Sequence, residues 1–231
     1  MGQPVAGHFQ PSRDAFAFAN SWPPGPAMSI RTPVGTIGVG NAARGLCGGM
    51  VFAALDYWLA RVTPPASMPA PGSPLYQFIV RRLMDSWHMP AGVARYYLWM
   101  NLPDGGFRVA PRGRAPALRG GLSQRTVERQ WPQVRARLDR GQPAPLGLVT
   151  VASANPAQLS HNHQVLAYGY ELAGSAVSLR VYDPNSGPDD GVSVRFAVSG
   201  PATFAHNIDI GWPVRGFFLT GYAAVLPPSA R

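Results

Sequence analysis

The chain has 231 residues, 46% of them hydrophobic and 10% aromatic, enough to bury one substantial core and too few for several. Its formal net charge of +9 is carried by twenty basic residues, every one an arginine; they are scattered over loops and one helix face, which argues against a nucleic-acid partner and leaves an acidic protein or anionic surface open. A single cysteine excludes an intrachain disulfide, and no apolar run reaches the length of a bilayer span.

Residues 1–40 are rich in Pro, Gly and Ser, and Ser21-Trp22-Pro23-Pro24-Gly25-Pro26 forces extended or turn backbone, so they read as an arm preceding one domain over 41–231. The arm lacks a basic stretch followed by an apolar core, which predicts a soluble protein that is cytoplasmic, or delivered without a cleavable signal peptide. Met50, Val51, Ala54, Leu55 and Trp58 recur at helical spacing and predict a helix over 48–61. A proline-rich break over 63–74 leads to a second helix over 75–87, with Phe78, Ile79, Leu83 and Trp87 on one face, and a third over 92–100. A Gly/Pro/Arg-rich loop over 101–121 precedes a helix over 124–140, capped by Ser123 and either kinked by Pro132 or started near Trp131.

After Gly141 the pattern turns to period two and short apolar runs, predicting strands over 145–151, 163–170, 176–182, 192–198 and 215–222. Helices first and antiparallel strands afterwards give an α+β layout, an N-terminal helical part packed on a C-terminal antiparallel sheet.

Cys47 stands in Gly45-Leu46-Cys47-Gly48-Gly49-Met50, where a glycine turn runs into the first predicted helix. A helix N-terminus stabilises a thiolate through its dipole and unpaired N–H groups, the environment of a nucleophile; a lone cysteine elsewhere is a small buried apolar residue. Gly45, Gly48 and Gly49 predict room for a substrate backbone beside the sulfur. His163 opens a β-prone run, where an imidazole can lie across from a helix N-terminus and act as general base, with His161 as its competitor. Asp183 follows the next strand, and a hairpin would bring it beside His163 to fix the imidazole tautomer; Asn185 could do so as a neutral amide. Asn41, six residues before Cys47, offers an amide that could join the Cys47 N–H in an oxyanion hole. No ligand set completes a metal site around His161 and His163, and no cofactor is expected.

Together these segments resemble the papain-like cysteine peptidases. Asn162-His163-Gln164-Val165 through Gly169-Tyr170 is similar to the signature around the papain histidine, Cys47 to the nucleophile, and Asn41 falls where the family places its oxyanion-hole Gln. Asp183-Pro184 resembles the bacterial branch that cleaves double-glycine leader peptides. The chain departs from the pattern in having Asn for Gln at 41 and Gly48, not an aromatic residue, after the cysteine. The resemblance implies a papain-like fold and a thiol peptidase acting on a peptide or protein substrate through Cys47, His163, Asp183 and Asn41. Two other readings stay open: an acyltransferase or transglutaminase-like amide exchanger with the same residues, and a non-catalytic papain-fold binding module or delivered effector.

Overall fold

The computed structural model describes residues 9–23, 28–32, 35–39, 45–88, 90–105, 120–199 and 202–228. The N-terminal arm is ordered where described: Pro11–Asp14 form a single helical turn, α1, with proline at its start. Phe9 and Phe16 are fully buried, Phe9 against Trp58, Tyr168 and Tyr182 and Phe16 against Phe18 and Tyr57. Strands β1 (Met28–Thr32) and β2 (Gly35–Val39) pair antiparallel in a sheet of their own, in a stretch the sequence reads only as Pro/Gly-rich arm.

Helix α2 (Cys47–Ala60) starts at the predicted glycine turn and ends at Arg61, whose left-handed backbone (φ 57°) turns its N–H back onto Trp58 O. The sequence predicts an amphipathic helix, but every residue from 48 to 57 is buried. A helix apolar all round belongs in the centre of the molecule, and α2 lies there, between the arm, helix α3 (Pro74–Ser86) and the sheet. Ser73 caps α3 by accepting the Tyr76 N–H, and Pro74 occupies the first turn, where its missing N–H costs nothing. Helix α4 (Ala91–Met100) follows.

The predicted helix over 124–140 is broken in three. Helix α5 (Leu122–Arg125) and helix α6 (Trp131–Leu138) are joined by a π-helical turn over Thr126–Gln130. Trp131 donates its N–H five residues back to Thr126 O, and Pro132, which has no N–H, takes the first turn of α6. Ser123 is not the cap: it lies inside α5 and its hydroxyl donates to Asp104 O at 2.6 Å.

The main sheet is antiparallel and six-stranded, built from β3 (Ala144–Val149), β4 (His163–Ala173), β5 (Ala176–Tyr182), β6 (Ser193–Ala197), β7 (Ala205–His206) and β8 (Gly216–Leu219) in the spatial order β7-β6-β5-β4-β3-β8. Leu166, Tyr168 and Tyr182 face the α2/α3 core, while Val165, Ala167, Val181 and Tyr170 face a second core closed by Trp131, Val134 and Leu138 of α6. Tyr170 joins the odd-numbered residues because β4 shifts register by one residue between Ala167 and Gly169, a bulge that moves later side chains to the other face. The outer edge of β8 is closed by the π-helical turn: Thr126 Oγ1 both donates to Phe217 O and accepts its N–H, each at 3.1 Å, and Gln130 accepts the Leu219 N–H at 3.0 Å.

Asp56 of α2 and Arg82 of α3 form a buried ion pair at 2.7 Å, with side chains 0% and 3% exposed. Tyr222 Oη (2.6 Å) and the Val225 N–H (3.0 Å) also donate to Asp56, and Arg82 donates to Ala223 O (2.8 Å) while lying over the rings of Phe52 and Tyr222. This charge cluster ties the C-terminal segment to the two helices. The architecture is α+β. Among the described residues no helix is long and apolar enough to cross a membrane.

Candidate active site

Cys47 is the first residue of α2, half-buried, with the helix N-terminus beneath its sulfur. The turn before it needs glycine: Gly45 has φ 98°, and a Cβ there would strike the Asn20 amide. Across from it, His163 opens β4, with Asp183 one residue beyond the end of β5. The antiparallel register pairs Leu166 with Tyr182, which brings the start of one strand beside the end of the other. Cys47, His163 and Asp183 therefore meet at one end of the sheet, where α2 begins.

His163 is 5% exposed and Asp183 fully buried. His163 Nε2 bonds to Asp183 Oδ1 at 2.7 Å, and the imidazole lies within electrostatic reach of the Cys47 side chain. Asp183 is saturated with donors: Oδ1 also accepts the Asn185 N–H (3.0 Å), and Oδ2 accepts Ser186 Oγ (2.9 Å) and the Asp209 N–H (3.0 Å). Burial pushes the Asp183 carboxyl up, but the His163 bond and charge and these N–H donors outweigh it and hold the group below its ordinary 3.8.

The sulfur and imidazole shift in opposite directions. Burial raises the Cys47 thiol, yet the His163 charge and hydrogen bond, with the backbone N–H groups of Gln164 and Gly48, bring it below its ordinary 9.0. Burial lowers the His163 imidazole, but the Cys47 charge and the bonds to Asp183 and Cys47 push it up to about 10. Lowering the one and raising the other favours the thiolate–imidazolium pair over the thiol and neutral imidazole.

The remaining predicted residues are placed differently. His161 is turned away: its Nδ1 pairs with Gln158 Oε1 at 2.6 Å and its ring lies against Trp212, centroids 5.6 Å apart. Asn185 reaches Asp183 only through its backbone; its side-chain amide donates to Asp209 O (2.9 Å) and its Oδ1 accepts from Asn20 (2.9 Å). Of Asp183 and Asn185, it is Asp183 that holds the imidazole. Asn41 lies outside the described residues.

Gly48 and Gly49 require a correction, because both are buried and face inward. A Cβ on Gly48 would collide with Ser86 Oγ and come within 2.8 Å of the Gln164 amide, and one on Gly49 would collide with the Ile79 carbonyl of α3. They let α2 pack tightly on α3 and β4, and do not line a path for substrate.

Three further side chains surround the site; Tyr96 reads from sequence as a core residue or pocket wall, while the roles of Gln164 and Asn20 do not show there. Gln164, 3% exposed, packs beneath the start of α2 and donates to Ser86 Oγ at 3.1 Å. The buried Tyr96 hydroxyl of α4 donates to His163 O at 3.3 Å. Asn20 in the arm accepts the Leu46 N–H at 2.8 Å. Gln164 directly follows His163; the others reach the site from distant segments.

A groove of about 480 Å³, lined by residues such as Glu171, Ala176, Arg195 and Thr203, lies at the opposite end of β4 and β5. Among the described residues, no group of three or more His, Cys, Asp or Glu side chains could hold a metal ion. Comparison with protein-family models, with curated proteins and with solved structures finds nothing that matches this chain.

Proposed function

We propose that this protein is a papain-like thiol hydrolase that cleaves peptide or isopeptide bonds. One arrangement carries the reading: a cysteine at a helix N-terminus within electrostatic reach of an imidazole whose Nε2 rests on a buried carboxylate.

In this mechanism Cys47 Sγ attacks the scissile carbonyl carbon and the C=O electron pair moves onto oxygen. That oxyanion is met by the Cys47 N–H at the start of α2 and, on the resemblance to the family, by Asn41. As the C–N bond breaks, His163 passes the proton from Nδ1 to the departing amine, leaving a thioester. His163, now neutral, takes a proton from water, whose oxygen attacks the thioester; the acid leaves and Cys47 returns as thiolate. Asp183 holds Nε2 throughout and stabilises the imidazolium at each stage.

The test is covalent labelling and substrate capture. Wild type should react with a thiol-directed electrophile at Cys47, and Cys47→Ala should not while keeping its fold. Mass spectrometry of proteins cut when the active form, but not Cys47→Ala, is expressed identifies the substrate. If an added amine ends up in the product instead of water, the acceptor assignment fails and the site is a transferase.

A further inference from the structure

We infer that Asn20, in the N-terminal arm, is a positioning residue that sets the nucleophile turn in register with the Asp183 hairpin; the inference rests on reading Cys47 as the nucleophile. The Asn20 side chain joins segments far apart in the chain. Its Oδ1 accepts the Leu46 N–H at 2.8 Å and the Trp22 indole N–H at 3.0 Å, while its Nδ2 donates to Asn185 Oδ1 at 2.9 Å. Its own N–H donates to Pro184 O at 2.9 Å.

Leu46 precedes Cys47 directly and its carbonyl accepts the first helical bond of α2, from the Met50 N–H at 2.9 Å. Fixing the Leu46 N–H therefore fixes the Gly45–Leu46 peptide plane, and with it the turn that delivers the Leu46 carbonyl and Cys47 to the start of α2. On the other side, Asn185 gives its N–H to Asp183 Oδ1 and its amide to Asp209 O, and Asp209 gives its N–H to Asp183 Oδ2. A continuous run of hydrogen bonds thus leads from the nucleophile turn through Asn20 to the carboxylate that holds His163. The absence of a Cβ at Gly45 lets the Asn20 amide sit against the turn.

Asn20 touches none of the reacting atoms, so its effect must appear as altered coupling between Cys47 and His163. The experiment measures the rate of iodoacetamide alkylation of Cys47 across pH on the full chain, with thermal midpoints recorded in parallel. Asn20→Ala and Asn185→Ala cut the bridge from either side, and the double variant tests whether they act as one unit. Ser12→Ala is the control: it loosens the same arm at Asp190, where Ser12 donates through its N–H (2.9 Å) and Oγ (2.6 Å).

Asn20→Ala and Asn185→Ala should each move the thiol midpoint up toward 9 and slow alkylation at pH 7 by about tenfold, since sub-ångström misplacement of a reacting pair costs on this order. The double variant should be no slower than the slower single, the non-additivity of a shared path. Ser12→Ala should lower the thermal midpoint and leave the pH profile alone. A wild-type profile in a folded Asn20→Ala, or an equal displacement in Ser12→Ala, overturns the inference. If Asn20→Ala does not fold, a wild-type profile in Asn185→Ala overturns it alone. An ordinary thiol in the wild type, indifferent to His163, brings down the nucleophile assignment and this inference with it; a perturbed wild type with unmoved variants removes only the role of Asn20.

Discussion

Helix α2 carries two buried charge clusters, Cys47 with His163 and Asp183 at its start and Asp56 with Arg82 further along, and they behave differently. Each carboxylate accepts four hydrogen bonds or ion-pair contacts. At Asp56 the cation is a guanidinium, whose fixed fork of donors clamps α2, α3 and the C-terminal segment. At Asp183 the cation is an imidazole, which can give its proton up, and it interacts with the Cys47 thiol. Exchanging a permanent cation for a titratable one turns a structural clamp into a device for moving protons. Burial wins at Asp56, whose carboxyl is raised, and loses at Asp183, which is lowered.

The contrast is broken most directly by Cys47→Ala, which should abolish labelling and hydrolysis completely while leaving the urea midpoint close to wild type. A large loss of stability in this variant would mean that Cys47 is a packing residue. Next in size, Arg82→Ala strands a buried carboxylate and should cost about 3–5 kcal/mol, read by chemical denaturation, while the thiol keeps its lowered pKa in whatever remains folded. The apolar double replacement Asp56→Leu/Arg82→Met should recover most of that loss, as expected of a clamp with no chemical role.

His163→Ala removes the charge that lowers the thiol. With the Cys47 midpoint back at 9 or above, alkylation at pH 7 should slow by about tenfold for each pH unit that the midpoint rises. Smallest of the set, Asp183→Asn keeps the shape but removes the negative charge that helps hold His163 protonated. The alkaline limb of hydrolysis should then move below its wild-type position near 10, with a rate loss of about tenfold at neutral pH. The signs follow from the shifts: the thiolate is lost as pH falls through a lowered Cys47 pKa, and the imidazolium is lost as pH rises through a raised His163 pKa.

Much of this was legible in the chain because its signals are local. The glycine turn before Cys47 announces the start of α2, and the β-prone run after His163 and the Asp-Pro turn after Tyr182 announce the ends of strands that a hairpin must bring together. The residues that escaped are held by contacts between distant segments. Asn20 has no pattern around it, and its meaning depends on Leu46 and Asn185 arriving beside it. The same holds for Asp56 and Arg82, each of which reads as the polar edge of an amphipathic helix until α2 proves buried on every side. Gly48 and Gly49 misled for the same reason: small residues next to a nucleophile suggest an open approach, and only the packing of α3 and Gln164 against them shows that the space is filled. The π-helical turn follows from Pro132 together with the open edge of β8, and sequence supplies only the first.

The most direct test is the pH dependence of Cys47 alkylation, measured from acid to pH 10 on wild type and His163→Ala. The site predicts a wild-type rate that levels off at lower pH than the variant's, whose rate climbs about tenfold per pH unit until it reaches 9 or above. Superimposable curves, both rising toward 9, would show a solitary thiol uncoupled from its imidazole and contradict the proposed chemistry.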